Sequence, residues 1–187
     1  MSTRPIAVVT GASSGIGAAT AEALASAGYH VWCTARRKDR IDALAEKING
    51  TAFVCDVADV ASIDALAAAL PGEVHLLVNN AGGSPNADVA TASPRFIDAI
   101  LKLNLVGPLF MAQAAYPHMV AQGAGSIVNI ASIAGLRGVS HRAAYNASKH
   151  GLIGLAKVVA KEGGSHGVHA NVICPGFVRT PLVDKQI

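Results

Sequence analysis

The sequence predicts an α/β fold in which helices cover both faces of a doubly wound parallel sheet. Short apolar runs alternate with longer Ala-rich segments, the runs lack polar alternation, and a glycine-rich turn follows the first run. This alternation is typical of βαβ units, and strands buried on both faces are continuously apolar. Right-handed crossovers then give the expected strand order 3-2-1-4-5-6, with a ligand crevice where the winding reverses.

Six strands and five helices are predicted in order along the chain. The apolar runs predict strands at Ile6 to Thr10, Val31 to Thr34, Ala52 to Cys55, Leu76 to Asn79, Ser126 to Ala131 and His169 to Cys174. Apolar residues at three- and four-residue intervals predict helices at Gly15 to Ala27, Asp39 to Ile48, Val60 to Leu70, Ser93 to Gln122 and Ala143 to Gly163. Gly28, Gly50 and Gly123 follow helix ends, where a residue at positive φ is favoured.

Composition indicates one compact domain over residues 1–187 and excludes several classes of protein. With 51% hydrophobic and 14% charged residues the chain is not disordered, and a net charge of +3 is too small for a nucleic-acid surface. Three cysteines in apolar runs indicate reduced thiols, and no signal peptide or long uninterrupted apolar stretch is visible. We therefore expect a cytoplasmic protein without nucleic-acid or membrane partners. No His, Cys and carboxylate set has metal-ligand spacing, so no metal is expected.

The glycine-rich turn lies between the first strand and the first helix. Gly11 permits the tight turn, Gly15 lets the backbone approach a pyrophosphate, and Gly17 allows close helix packing. Free N–H groups at the helix N-terminus favour the same anion. The spacing G-x-x-x-G-x-G differs from the commoner G-x-G-x-x-G, and an ordinary glycine-rich turn is the alternative.

Cations follow the second strand, where the adenosine ribose of a dinucleotide is expected. Arg36 and Arg37 precede the first carboxylate, Asp39, and such a cluster suits a 2′-phosphate, which favours NADP(H) over NAD(H). The alternative is that these charges only solvate the start of the next helix. Asp56, after the third strand, would accept from the adenine amino group or cap a helix.

Tyr145 and Lys149 are four residues apart near the start of a predicted helix and so share one face. A neighbouring ammonium favours the phenolate, so the pair would exchange a proton with an alcohol or carbonyl. Such a pair is also common on helix surfaces. The interpretation is strengthened by polar residues and turns at the ends of other strands and by an Asn in the long helix, because all of them converge on one sheet edge. These are Ser132, Asn79 to Gly82, Asn104 and Pro175-Gly176.

This set resembles the short-chain dehydrogenase/reductase family, in order and spacing, from Thr10 to about Thr180. The resemblance implies a Rossmann-type three-layer fold and hydride transfer between a nicotinamide cofactor and a small alcohol or ketone. It implies that Tyr145 is the acid-base residue, Lys149 holds the nicotinamide ribose and favours the phenolate, Ser132 orients the reacting oxygen, and Asn104 keeps a water for a proton relay. The implied cofactor contacts are Gly11, Ser13, Ser14, Gly15, Ile16, Gly17, Arg36, Arg37, Asp56, Val57, Asn79, Asn80, Ala81, Gly82, Tyr145, Lys149, Pro175, Gly176, Val178 and Thr180.

The last third of the chain is most similar to bacterial 3-hydroxybutyrate dehydrogenases. The resemblance implies that Gln186 helps bind a substrate carboxylate, with Ser132 and Tyr145 at the reacting end. Ser84, Ala134 and Arg142 depart from that subgroup, which has Gln, His and Lys there. Arg142 would still offer a carboxylate a bidentate fork, and the alternative is that it faces solvent. Hydroxybutyrate dehydrogenase is therefore the alternative activity.

Family members usually continue beyond the position of Ile187, so we expect a fold without the usual C-terminal lid and last strand. A catalytically silent dinucleotide-binding or truncated protein is the alternative class of function. The family commonly uses Ala-rich outer helix faces for a dimer contact, so the resemblance implies a homodimer or homotetramer; burial of the sheet is the alternative reason for these alanines.

Overall fold

The structure is a computed structural model that describes residues 4–180, and its centre is a six-stranded parallel sheet. The strand order is β3-β2-β1-β4-β5-β6, as predicted. The strands are β1 (Ile6–Thr10), β2 (His30–Ala35), β3 (Thr51–Val54), β4 (Leu76–Asn79), β5 (Gly125–Ile130) and β6 (Val168–Ile173). The helices are α1 (Gly15–Ser26), α2 (Lys38–Ile48), α3 (Val60–Ala69), α4 (Pro94–Leu101), α5 (Gly107–Gln122) and α6 (Ala143–Gly163). A π-helical turn spans Lys102–Val106, and 3₁₀ turns span Ile133–Gly135 and Gly164–His166.

The winding of the sheet reverses at β1. Its register pairs Val8 with Trp32 of β2 on one side and with Leu77 of β4 on the other. The carboxyl ends of β1 and β4 therefore separate two sets of crossovers, and the crevice predicted from the sequence lies at this point. Three strands, β3, β5 and β6, begin and end one residue earlier than predicted. Differences of this size are ordinary at element ends.

The core has one layer on each face of the sheet. Side chains of α1 and α2, including Ala21 and Ile41, pack with Val9 on one face. On the other face, Ile63 of α3 and Met111 of α5 pack with residues that include Val8 and Leu77. Val8 and Val9 are 1% and 0% exposed, so β1 is buried on both sides, as its unbroken apolar run predicts.

The predicted helix from Ser93 to Gln122 is instead two α-helices joined by the π-helical turn. Pro108 has no N–H to donate to the carbonyl four residues back, and the neighbouring Gly107 N–H bonds to Lys102, five residues back. The wider turn accommodates this missing donor without ending the helical run. It also presents Asn104 to the crevice, and π turns are common at functional sites.

The end of α2 differs from the sequence expectation. Asn49 takes the left-handed conformation at φ 50°, and Gly50, which was predicted to do so, does not have positive φ. Asparagine tolerates this region better than most residues, so it terminates the helix. Position 50 has no room for a side chain, because a Cβ there would lie 2.5 Å from the Val31 carbonyl oxygen. Gly28 and Gly123 have positive φ, as predicted.

The helical run from Pro94 to Gln122 is long and apolar enough to cross a membrane by length and composition alone. The sequence analysis considered uninterrupted apolar stretches and did not single it out. In the structure its buried residues Met111, Ala115 and Met119 belong to the core on the sheet. Packing against the sheet therefore explains part of its apolar composition, since 33% of its apolar window is buried.

Candidate active site

A crevice of about 580 Å³ opens at the carboxyl ends of the strands. Segments that follow β1 to β6 all contribute to its wall, together with the π-helical turn and the start of α6. Most of the predicted site residues line it: Gly11, Ser13, Ser14, Gly15, Ile16, Arg36, Arg37, Asp56, Val57, Asn80, Ala81, Gly82, Asn104, Ser132, Arg142, Tyr145, Lys149, Pro175, Gly176, Val178 and Thr180. The topology therefore brings together side chains that are far apart in sequence.

The glycine-rich turn leaves space that no side chain could share. Gly11 and Gly15 have φ of +66° and +57°, the region that favours glycine. A Cβ at Gly11 would lie 2.8 Å from the Ala81 Cα, and one at Gly15 would meet the Thr180 side chain at 3.2 Å. The shape of this cradle, together with the N-terminus of α1, fits the pyrophosphate of a dinucleotide.

Gly17 packs against the end of β4 and does not line the crevice. A Cβ there would lie 2.4 Å from both the Asn80 Nδ2 and the Gly11 carbonyl oxygen. Asn80 is itself bound to this turn, because its Nδ2 donates to the Thr10 carbonyl at 2.9 Å. The third glycine therefore allows close contact between α1 and the β4 end, as the sequence analysis expected.

Two arginines lie at the edge of the crevice beyond β2. The Arg37 guanidinium donates to Ser13 Oγ and Ser14 Oγ at 2.6 and 2.8 Å. Arg36 is exposed, and its Nη1 lies 3.8 Å from the Asp56 carboxylate. Two cationic groups thus flank the place where the glycine-rich turn approaches the ends of β2 and β3.

Asp56 has a local structural role in addition to this ion pair. Its Oδ1 accepts from the Ala58 N–H at 3.0 Å, which closes the turn before α3. The cap of α3 is Asp59, whose carboxylate accepts from the Ala61 N–H. The alternative that Asp56 caps this helix is therefore wrong. Its Oδ2 lies near Arg36, at the same end of the crevice.

Lys149 lies directly below the crevice, one helical turn after Tyr145. It is 5% exposed, its Nζ donates to the Ile130 carbonyl at 2.8 Å, and the same Nζ lies 5.7 Å from the centre of the Tyr145 ring. Burial lowers the pKa of Lys149 to about 8, because an ammonium without water is disfavoured; the nearby Cys174 opposes this in part. The ammonium is thus one of two positive groups close to the phenol ring, since the Arg142 guanidinium lies 5.9 Å from the same ring centre.

Ser132 follows β5 and begins the 3₁₀ turn that packs against α6. Its Oγ accepts from the Ala134 N–H at 3.1 Å. The hydroxyl proton is not used in that bond, so Ser132 can donate to an oxygen in the crevice. Both Ser132 and Tyr145 line the crevice, one from the sheet side and one from the helix side.

Asn104 fastens the segment after β4 to the π-helical turn. It is 0% exposed, its Oδ1 accepts from the Gly83 N–H, and its Nδ2 donates to the carbonyls of Gly83 and Ile100 at 3.0 Å each. A Cβ at Gly82 would lie 2.7 Å from Asn104 Oδ1 and 3.7 Å from Lys149 Nζ. Asn104 and Lys149 therefore approach each other across a glycine.

Three predicted contacts are not brought to the crevice or cannot be placed: Gly17, described above, Asn79 and Gln186. Asn79 is 2% exposed and points beneath the sheet edge, where its Nδ2 donates to Asn129 Oδ1 and to the Pro108 carbonyl. It ties β4 to β5 and α5, and the neighbouring Asn80 lines the crevice in its place. Gln186 lies outside the described residues.

The structure also identifies residues that the sequence analysis did not assign to the site. Ser84 is 6% exposed and its Oγ accepts from the Arg142 guanidinium inside the crevice. Ser84 was noted only as a departure from a subgroup, and its position five residues after β4 gave no other signal. Several apolar side chains complete this end of the crevice: Leu103, Ile133, Ala134, Val139 and Phe177.

Comparison with known proteins agrees with this architecture. Residues 5–187 match the short chain dehydrogenase family. The chain is 40% identical to D-threitol dehydrogenase of Mycolicibacterium smegmatis over 188 residues, which cover 96% of this chain and 72% of that protein. It is 37% identical to D-beta-hydroxybutyrate dehydrogenase of Rhizobium meliloti, over 97% of this chain and 74% of that protein. Relatives with hydroxybutyrate dehydrogenase activity are therefore found, together with relatives that have other activities.

Solved structures show the same fold. A variant of actinorhodin polyketide ketoreductase, solved with NADPH, superposes with a TM-score of 0.95 at 34% identity, over 99% of this chain and 75% of that one. The sheet order, the glycine-rich turn and the crevice of this chain are thus those of a nicotinamide-dependent fold. The chain belongs to the short-chain dehydrogenase/reductase family, whose enzymes are oxidoreductases that use a nicotinamide cofactor.

Proposed function

We propose that this chain transfers a hydride between NADP(H) and a small secondary alcohol or ketone, with Tyr145 as the proton donor and acceptor. The observation that carries the proposal is the convergence of Tyr145, Lys149 and Ser132 on one crevice. The glycine cradle at the other end of the crevice leaves space for the pyrophosphate. Each group supplies one requirement of carbonyl reduction: a proton, a nearby positive charge and a donor for the reacting oxygen.

In the direction of reduction, Ser132 donates a hydrogen bond to the substrate carbonyl oxygen and holds it beside the Tyr145 hydroxyl. When bound, the nicotinamide supplies the hydride, with its two electrons, to the carbonyl carbon. Tyr145 gives its proton to the oxygen, so the C=O bond becomes an alcohol and the phenol becomes a phenolate. The Lys149 ammonium, 5.7 Å from the ring centre, stabilises that negative charge. Oxidation of an alcohol uses the reverse steps.

Lys149 returns a proton to the Tyr145 phenolate and is itself reprotonated from solvent through a water that Asn104 keeps in place. Asn104 orders the Gly82-Gly83 backbone, and the glycine at 82 keeps the space between Asn104 Oδ1 and Lys149 Nζ free of a side chain. A water in that space would connect Lys149 to solvent. Lys149 would also hold the hydroxyls of the nicotinamide ribose.

The preference for NADP(H) is supported by the two arginines beyond β2. Arg36 and Arg37 are exposed at the crevice edge, and Arg37 is already oriented by Ser13 and Ser14. A 2′-phosphate there would gain charge-assisted hydrogen bonds. A ribose hydroxyl would need a carboxylate acceptor instead, and the only carboxylate of the described crevice wall, Asp56, faces Arg36.

The proposal is tested by following NADPH absorbance with a panel of ketones and the Tyr145→Phe variant. We expect the parent to turn over at least one ketone and the variant to lose about 10²–10⁴-fold in kcat, since general acid catalysis contributes that much. Both proteins should bind NADPH equally. Tight NADPH binding by a parent that reduces no ketone and oxidises no alcohol would instead favour the alternative class, a silent dinucleotide-binding protein.

A second candidate, 3-hydroxybutyrate dehydrogenase, is favoured by the Arg142 guanidinium inside the crevice. It lies 5.9 Å from the Tyr145 ring centre and donates to Ser84 Oγ. Such a group would bind the carboxylate of a short hydroxy acid. For this candidate Arg142→Leu should raise KM for acetoacetate about tenfold or more, and leave KM for a neutral ketone nearly unchanged. Equal effects on both substrates would contradict it.

Assembly into a homo-oligomer is also proposed, on the outer faces of α5 and α6. Leu109 and Val158 on these helices are 46% and 51% exposed. Light scattering of the purified protein, with the Val158→Glu variant as comparison, would give the number of subunits and show whether this face holds them together.

A further inference from the structure

We propose that Asn146 is a positioning residue, which holds the Ser132 hydroxyl against Tyr145. This inference rests on the proposed function, because it assigns the residue that orients one member of that site. Asn146 does not line the main crevice. It immediately follows Tyr145 in the first turn of α6, and its side chain points toward the 3₁₀ turn that begins at Ser132.

The Asn146 amide binds the middle residue of this turn and a residue just after it. Its Nδ2 donates to the Ala134 carbonyl at 2.8 Å and to the Arg137 carbonyl at 2.7 Å. Both amide hydrogens are therefore used, and the two acceptors are three residues apart. A single side chain thus fixes the 3₁₀ turn and the residues after it to the helix that carries Tyr145.

The connection reaches Ser132 through one residue, Ala134. The N–H of Ala134 donates to Ser132 Oγ at 3.1 Å, while the carbonyl of the same residue accepts from Asn146. A shift of the turn along α6 would move that N–H and change the direction of the Ser132 hydroxyl. The spacing is tight, because a Cβ at Gly135 would lie 2.8 Å from the Lys149 carbonyl oxygen.

The two carbonyl groups that face the Asn146 side chain favour an amide at position 146. The Asn146 Oδ1 is buried and accepts no hydrogen bond within the described part of the chain, and a buried unpaired acceptor is unfavourable. Turning the amide over would place that oxygen against two carbonyls, which is worse. The residue is thus kept in one orientation, with its donors toward the turn. An aspartate would keep the shape but, when ionised, would repel both carbonyls.

The experiment compares kcat, KM and NADPH affinity for the parent, Asn146→Ala and Asn146→Asp, on a ketone that the parent reduces. We expect Asn146→Ala to lower kcat about 10- to 100-fold, since displacement of an orienting group by about 1 Å has this effect. NADPH affinity should change less than about threefold, because the glycine cradle and Arg37 are remote from the turn. Unchanged kcat in Asn146→Ala would overturn the proposal.

A pH series distinguishes orientation from general loss of structure. A protonated aspartic acid can donate one hydrogen bond, and two facing carbonyls favour that neutral form. The ratio of kcat for Asn146→Asp to that of the parent should therefore rise as pH falls, whereas the ratio for Asn146→Ala should stay constant. Parallel ratios for the two variants would overturn the inference.

Gln122→Ala is the matched control. The Gln122 Nε2 also donates to two backbone carbonyls, those of Val74 and Ala124, and its Oε1 is buried without a partner among the described residues. It lies at the opposite end of α5 from the π-helical turn, and outside the crevice. We expect it to lower the unfolding temperature comparably while kcat remains that of the parent. An equal loss of kcat in this control would overturn the inference. If the parent itself turns over no ketone, the proposed function is overturned, and the inference with it.

Discussion

At the scale of single residues, Lys149 connects burial with pH dependence. Burial lowers its pKa to about 8, so the side chain is an ammonium below that pH and becomes neutral above it. In the proposed mechanism the charged form of Lys149 both stabilises the phenolate and passes a proton to it, and the neutral amine can do neither; Arg142, 5.9 Å from the Tyr145 ring, adds positive charge but has no part in the proton transfer. The charge that the site needs is therefore lost at a pH well below the ordinary value for lysine.

The first prediction concerns the rate of ketone reduction at alkaline pH. The kcat for reduction should fall as pH rises through about 8, because Lys149 loses its proton there. The measurement is a kcat profile at saturating NADPH, with unfolding temperature followed at each pH. Constant kcat well above this pH would show that the lysine charge is not required.

The prediction for cofactor choice concerns Arg36 and Arg37. Arg36→Ala should weaken NADPH about 10- to 100-fold and NADH less than about threefold, because a charge-assisted bond to the 2′-phosphate is lost. Arg37→Ala should weaken both cofactors, since the glycine-rich turn also loses the bonds to Ser13 and Ser14. Calorimetric titration measures each affinity.

Arg40→Ala serves as the control, since Arg40 is exposed on α2 and does not line the crevice. It should leave both affinities as they are in the parent. Equal losses of NADPH and NADH affinity in Arg36→Ala would contradict the assignment of a 2′-phosphate site.

Most of the residues at the site were predictable because they stand at the ends of recognisable strands. Tyr145, Lys149 and Ser132 follow from spacing and from the sheet edge at which they lie. Asn79 and Ser84 were not predictable in the same way. Whether a side chain at a strand end points into a crevice or beneath it depends on the partner it meets, here Asn129 and Arg142, and sequence spacing does not show that partner.

At the scale of elements, close contact between α1 and the end of β4 depends on Gly17. An alanine there would place its Cβ 2.4 Å from backbone and amide atoms that cannot easily move. We expect Gly17→Ala to lower the free energy of unfolding by about 1–3 kcal/mol, as overpacking does, and to weaken NADPH. Urea unfolding and calorimetric titration measure the two effects.

Gly164→Ala provides the comparison, because Gly164 has helical dihedral angles at the C-cap of α6 and no atom lies within 4 Å of a Cβ there. It should raise the free energy of unfolding by about 0.5–1 kcal/mol, since alanine is the better helix former. A Gly17→Ala protein as stable as Gly164→Ala would contradict the close contact of α1 with the end of β4.

The strands, and the helices other than the predicted run from Ser93 to Gln122, were predicted to within one residue because long apolar runs and helical periodicity are strong signals. The π-helical turn was not predicted, since it arises from the missing N–H of Pro108 and from the contacts of Asn104 with Gly83. The 3₁₀ turn after β5 was also missed. It is hydrogen-bonded to Asn146, which is eleven residues beyond its last residue and belongs to another element.

At the scale of the whole molecule, the order of the strands in the sheet determines where the site lies. Outward crossovers from β1 leave a crevice where the sheet reverses, and residues from all six strand ends meet there. This much follows from the alternation of elements and from the handedness of crossovers. The choice of substrate does not, because it depends on the apolar residues and Arg142 that line one end of the crevice.

Hydride transfer with Tyr145 as the proton donor is tested most directly with NADPH deuterated at the transferred position and a ketone that the parent reduces. The account predicts deuterium on the carbinol carbon of the product, none from solvent at that carbon, and almost none transferred by Tyr145→Phe. Stable binding of NADPH with no deuterium transferred to any ketone, or equal transfer by Tyr145→Phe, would contradict it.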